Sequence, residues 1–140
     1  MTPIRILIIE DQKGFRRVYR DLLESQGYEV LLAEDGEEGW TLTRDARPDL
    51  ILLDLGLPKL DGFGFLERLR ALEQTREIPV LIFSVMGEEK DLQRAMGLGA
   101  NGYAVKGFSG SKEILEKIRG LLKPAQNSGE GGGDGEKMAG

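Results

Sequence analysis

The sequence predicts an α/β fold, a doubly wound parallel sheet of five strands with helices on both faces. Three observations lead there. Apolar runs alternate with helical patterns five times along the chain. The first (from Ile6), third and fourth runs are continuously apolar, as strands covered on both faces of a parallel sheet must be. Four of the five runs also end in chemistry-bearing side chains, which is where open parallel sheets place their ligands.

Taken in order, Ile4–Ile9 is the first strand. A helix follows whose stripe is Phe15, Val18, Tyr19, Leu22 and Leu23. Glu29–Ala33 is the second strand, and Gly36–Asp45 the least regular helix, with Trp40 as its main buried anchor. Leu50–Leu53 is the third strand, followed by a helix marked by Leu66, Leu69 and Leu72. Val80–Phe83 is the fourth, with Leu92, Ala95 and Met96 on the helix after it. Gly102–Val105 is the fifth, and Ile114, Ile118, Leu121 and Leu122 stripe the last helix. Gly27, Gly99 and Gly102 lie near helix ends, where a positive φ is often needed. The folded domain is expected to span residues 1–124. Residues 125–140, ending "NSGEGGGDGEKMAG", have almost nothing to bury and read as a flexible Gly-rich acidic tail.

The composition narrows the function. The chain has 140 residues, 40% hydrophobic and 31% charged, which suits one domain with an ordinary core. Its net charge of −5 argues against a nucleic-acid surface, so no direct nucleic-acid binding is expected. No apolar run approaches the roughly 18 residues of a membrane span, and the acids directly after the first run do not fit a signal peptide. A cytoplasmic location and no membrane partner are therefore expected. There is no cysteine, hence no disulfide or thiol chemistry. There is also no histidine, which removes imidazole bases and most zinc sites.

The strand ends carry what remains. Strand one ends in Glu10-Asp11, strand three in Asp54, strand four in Ser84 and strand five in Lys106. Each has a plainer reading: a solvated loop acid, an Asx-turn, a helix cap or a surface lysine. Their agreement at one sheet edge is harder to dismiss. If strands one and three are neighbours, their carboxylates lie about 4–5 Å apart and repel by about 3–4 kcal/mol per pair at an effective dielectric of about 20. Such a cluster calls for a cation, and oxygen ligands without His or Cys point to Mg²⁺, with Mn²⁺ as a substitute. A carboxylate beside a divalent ion and a lysine suggests phosphoryl transfer onto that carboxylate, with Asp54 as nucleophile.

The segments "IIEDQ", "LILLDLGLPKLDGFGFL", "PVLIFSV" and "GANGYAVKGF" resemble, in order and spacing, the receiver domain of two-component response regulators over about residues 4–122. The resemblance implies a flavodoxin-like (βα)5 sheet with strand order 2-1-3-4-5. It implies that Asp54 accepts a phosphoryl group from the phosphohistidine of a histidine kinase or phosphotransfer protein. Asp11 would bind Mg²⁺ directly and Glu10 through water, with the Gly56 carbonyl as another ligand. Ser84 and Lys106 would contact the phosphoryl group, and Tyr103 would be an aromatic switch turning inward as the hydroxyl residue moves. The domain would be a signalling phosphoacceptor rather than an enzyme, at most catalysing its own phosphorylation and dephosphorylation. Its output partner is not named by the sequence, and no effector pattern follows Pro124. In the family the fourth helix, fifth strand and fifth helix often carry partners or a homodimer.

Three positions depart from the family pattern. Gly107 replaces the usual proline after the lysine, and a trans bond is expected there. Val85 replaces a small residue after Ser84 and is expected to narrow access to Asp54. Gly56 offers no side chain two positions past the acceptor. These departures keep open a receiver-like scaffold that signals without phosphoryl transfer. A flavodoxin-like electron carrier is disfavoured because "EDQKGF" puts acids where a phosphate cradle belongs. An aspartate-nucleophile phosphatase would want a second acid at position 56. "GLGANG", Gly97 to Gly102, spells GxGxxG but follows a helix and precedes a strand, the reverse of a dinucleotide fingerprint.

Overall fold

The computed structural model describes residues 2–85, 89–106 and 109–127, with backbone only for 123–127. Five strands, β1 (Arg5–Ile9), β2 (Glu29–Ala33), β3 (Leu50–Leu53), β4 (Val80–Ser84) and β5 (Gly102–Val105), alternate with five helices. These are α1 (Lys13–Ser25), α2 (Gly36–Ala46), α3 (Gly62–Ala71), α4 (Glu89–Gly97) and α5 (Ser111–Asn127). The sheet is parallel throughout, in the order β2-β1-β3-β4-β5. This is the flavodoxin-like (βα)5 arrangement expected above. No described helix is long and apolar enough to cross a membrane.

The continuous apolar runs are explained by the two-residue period of a strand. Leu7, Ile9, Ile51, Leu53, Val80 and Ile82 face α2, α3 and α4, where they meet Trp40, Phe65, Leu66, Leu69 and Ala95. Ile6, Ile8, Leu50, Leu52, Leu81 and Phe83 face the other way and meet Leu23, Ile114, Leu115 and Ile118 from α1 and α5. Two cores, one per face, thus leave no polar side to β1, β3 or most of β4. Trp40 anchors α2 as expected, packed edge-on against Phe65 at 6.0 Å.

Some helix-stripe residues do not bury. Val18 is 58% exposed, Met96 41% and Leu72 39%. Val18 and Met96 lie on the rims of their stripes, where an amphipathic helix touches the sheet only along its central line, and Leu72 falls just past α3 as its extended C-cap. Gly27 and Gly99 do adopt positive φ, at 91° and 110°. Gly102 instead opens β5. α5 continues through Pro124 to Asn127.

Local signals set the helix starts that matter for the site. Asp35 caps α2 by accepting from Glu38 N, and Asp61 caps α3 by accepting from Gly64 N. Far from the strand tips, Arg70 reaches from α3 across to the α4–β5 turn. Its guanidinium donates to the carbonyls of Gly99, Arg76 and Ile78 and to Asn101 Oδ1, at 2.7–3.1 Å. Burial lowers its pKa from the ordinary arginine value. A Cβ on Gly99 would stand 2.7 Å from Arg70 Nε, so the turn needs glycine for space as well as for φ.

Candidate phosphoacceptor and cation site

β1 and β3 are neighbours in register, Ile9 opposite Leu53, so the residues that leave their tips arrive side by side. Asp54 N donates to Ile9 O at 3.1 Å, extending the ladder one step into the loop. The carboxylate oxygens of Glu10, Asp11 and Asp54 consequently lie within 4.8 Å of one another. Glu10 and Asp54 are buried, and Asp11 is exposed at the mouth.

β5 delivers the counter-charge. Lys106, with only 1% of its side chain exposed, sets its ammonium against both buried acids: an ion pair to Glu10 Oε1 and a 3.2 Å hydrogen bond to Asp54 Oδ2. Glu10 Oε1 has no partner besides this lysine among the described residues. Glu10 Oε2 accepts from Gln12 N at 2.9 Å, and Asp54 Oδ1 from Gly56 N at 3.3 Å. Burial pushes the Glu10 carboxyl up, more strongly than its bonds to Lys106 and Gln12 pull it down.

Ser84 is the last residue of β4, half-buried, opposite Val105. Its carbonyl accepts from Lys106 N at 2.8 Å, which ties the serine and lysine to one rung. Val85 beside it is 54% exposed. Tyr103 is 44% exposed, with Lys117 Nζ 6.0 Å from its ring. Five of the sequence-derived positions, Glu10, Asp11, Asp54, Gly56 and Lys106, therefore meet in one cluster, with Ser84 joined to it through the backbone. Tyr103 lies in β5, the strand that leads into the lysine, but is exposed. Gly107 and its peptide bond lie outside the described residues.

The β3–α3 loop that carries Asp54 and Gly56 is docked on α2. Gly36 N donates to Pro58 O at 3.4 Å, and Lys59, at φ 70°, pairs with Asp35 at 3.5 Å. A Cβ on Gly36 would fall 1.8 Å from Leu60 O. Three further contributors were not read from the sequence: Arg16, which donates to Glu10 O at 2.8 Å; the Gly36 contact; and Phe15, whose ring lies 4.8 Å from Lys106 Nζ. Phe15 and Arg16 sit one helical turn past Asp11 (the only signal available), and at that spacing they are indistinguishable from an ordinary stripe.

The donor set fits a hard divalent ion. Three carboxylates face one buried ammonium, so the cluster keeps a net negative charge, and every donor is oxygen.

This arrangement defines a class of protein. Residues 6–119 match the family model of the response regulator receiver domain, and the chain belongs to that family. RpaA of Synechocystis sp., described as a DNA-binding dual master transcriptional regulator, is 42% identical over 119 residues, covering 85% of this chain and 49% of RpaA. The probable transcriptional regulator ycf27 of Cyanophora paradoxa is 38% identical over 123 residues, covering 88% of this chain and 50% of the relative. The chain thus spans about half the length of these curated relatives. Among solved structures, the receiver domain of sensor histidine kinase PA1611 from Pseudomonas aeruginosa PAO1 superposes with a TM-score of 0.80 at 29% identity, covering 87% of this chain and 99% of that one. It has a magnesium ion coordinated in its active site cleft.

The relatives correct one expectation. The partner reading drawn from net charge left nucleic acid out, yet the relatives are transcriptional regulators and RpaA is described as DNA-binding. A net charge of −5 is a property of these 140 residues alone, and it does not report what a longer protein carrying such a domain contacts.

Proposed function

We propose that this receiver accepts a phosphoryl group on Asp54 from a phosphohistidine donor, in a Mg²⁺-dependent reaction, and relays the change to an output partner. The observation that carries this reading is the convergence of Glu10, Asp11 and Asp54 within 4.8 Å of one another, with Lys106 held 3.2 Å from Asp54. Glu10, Asp11 and Asp54 would hold the ion, with the Gly56 carbonyl as a further ligand. Once bound, Mg²⁺ would offset the charge on the phosphoryl oxygens.

The chain's own groups supply the remainder. A carboxylate oxygen of Asp54 forms the new bond to phosphorus while the P–N bond of the donor breaks, its electron pair returning to the imidazole nitrogen. Lys106 is buried and aimed at Asp54, so its ammonium offsets the charge of an anion arriving there without solvent reorganisation. Ser84, tied to Lys106 through the backbone, is placed to bond one phosphoryl oxygen through its hydroxyl. Gly56 N–H already holds Asp54 Oδ1, which fixes the orientation of the nucleophile. Such a domain is a signalling element and not an enzyme acting on a separate substrate. By analogy with the relatives, we take the output of the protein that carries it to be transcriptional and DNA-bound.

The test is intact-mass and peptide analysis after treatment with acetyl phosphate, with and without Mg²⁺. One phosphoryl group on Asp54 is expected, dependent on the metal and absent in Asp54→Asn. An unmodified wild-type chain under both acetyl phosphate and a panel of histidine kinases would leave the scaffold reading in its place.

A further inference from the structure

The buried ammonium of Lys106 has the carboxylates of Glu10 and Asp54 as its charged neighbours. It also meets aromatic rings: its Nζ lies 4.8 Å from the ring centroid of Phe15 and 5.9 Å from that of Phe83. Phe15 stacks on Tyr19 at 6.3 Å with an interplanar angle of 16°, and Tyr19 meets Phe83 edge-on at 4.5 Å and 78°. Three rings from α1 and β4 therefore form a continuous shelf whose outermost member is a half-buried phenylalanine.

A lysine is a point charge on a flexible four-carbon stem, and it needs an external restraint to be aimed. The acids supply one, but a divalent ion held by the same acids competes for their charge and repels the ammonium. The attraction between a cation and the face of a ring survives that competition, because the quadrupole belongs to the ring and is not shared with the ion. Phe83 is only 3% exposed and belongs to the core, so its packing role is accounted for. Phe15 is the ring nearer to the ammonium, and its next turn, at Val18, is already in solvent.

Resting on the phosphoacceptor reading above, we infer that Phe15 is a positioning residue for Lys106: its ring face holds the ammonium on the Asp54 side of the site while the carboxylates are engaged by metal. Loss of the ring leaves the three ligands in place and loosens only the lysine. The expected result is a slower phosphoryl transfer at unchanged metal affinity. A desolvated cation–ring contact corresponds to a rate effect of about five- to thirtyfold.

The experiment compares the full chain as wild type, Phe15→Leu and Phe15→Tyr. Carbon-resolved NMR reads the Lys106 ε-methylene protons with Mg²⁺ present, and acetyl phosphate gives the modification rate at saturating Mg²⁺. Mg²⁺ affinity is measured separately by calorimetry, and melting temperature reports folding. Wild type and Phe15→Tyr are expected to show ring-current-shifted ε-protons and similar rates. In Phe15→Leu the shift should shrink to what the more distant Phe83 ring leaves, and the rate should fall by about five- to thirtyfold, with Mg²⁺ affinity changed less than about twofold. A folded Leu variant that reacts at the wild-type rate overturns the inference, as does a Tyr variant that slows as much as Leu. If wild type takes no phosphoryl group while its ring-current shift appears and is reduced in Leu, the ring contact stands and the phosphoacceptor reading falls.

Discussion

Replacing Asp54 with Asn should stabilise the metal-free protein while abolishing its chemistry. Asp54 is buried at 9% exposure, with two carboxylates no more than 4.8 Å away and Lys106 at 3.2 Å. At an effective dielectric of about 20, each carboxylate neighbour costs about 3.5 kcal/mol or more, and the lysine returns about 5 kcal/mol. The balance is a net repulsion of about 2 kcal/mol, which an uncharged side chain of the same shape removes. The amide of Asp54→Asn keeps an oxygen for Gly56 N–H, and Lys106 keeps Glu10 as a partner. Urea unfolding in EDTA should therefore move to a higher midpoint at unchanged slope, corresponding to about 1–2 kcal/mol. Magnesium should narrow that gap. An ion at about ten times its Kd adds about 1.4 kcal/mol to wild type, and the Asp54→Asn variant, with one ligand weakened, should gain much less. A variant less stable than wild type in EDTA, or one stabilised equally by Mg²⁺, would refute the electrostatic reasoning.

Three other outcomes follow from the same geometry. Gly36→Ala forces a Cβ to 1.8 Å from Leu60 O, so it should destabilise the fold by about 3 kcal/mol or more and weaken Mg²⁺ binding through the displaced β3–α3 loop; calorimetry with and without Mg²⁺ reads both. Glu10 has its pKa raised by burial above the ordinary 4.5, so the folded state takes up this proton before the unfolded state as pH falls. In EDTA, wild type should gain stability relative to Glu10→Gln as pH is lowered through that raised value toward 4.5, and denaturant midpoints showing the opposite slope would contradict it. Arg70→Met removes a half-buried guanidinium bonded to four acceptors and should cost about 2–3 kcal/mol in chemical denaturation, with Arg70→Lys failing to rescue because a single ammonium cannot span them.

The central strands were legible because a parallel sheet covered on both faces leaves little room for polar side chains there, and β2, β3 and β5 match their sequence-derived bounds. Helix stripes were legible only along their centres. Val18 and Met96 fit the periodicity as well as Leu23 and Ala95 do, and which residue of a stripe meets the sheet depends on how far the helix is rolled. The acids of the site were legible because an acid directly after an apolar run has one place to go, the tip of its strand.

The sequence by itself determined which groups reach the tips of the strands, since that follows from local alternation of apolar and charged residues. What it did not determine is how those groups are paired. Lys106 against Glu10 and Asp54, Phe15 beneath the ammonium and Gly36 beneath the Leu60 carbonyl are contacts between segments distant in the chain, 52 residues apart for the Lys106–Asp54 bond. Only strand order and register bring such segments within reach, because electrostatic and van der Waals contact acts over a few ångströms while sequence periodicity reports a single element at a time.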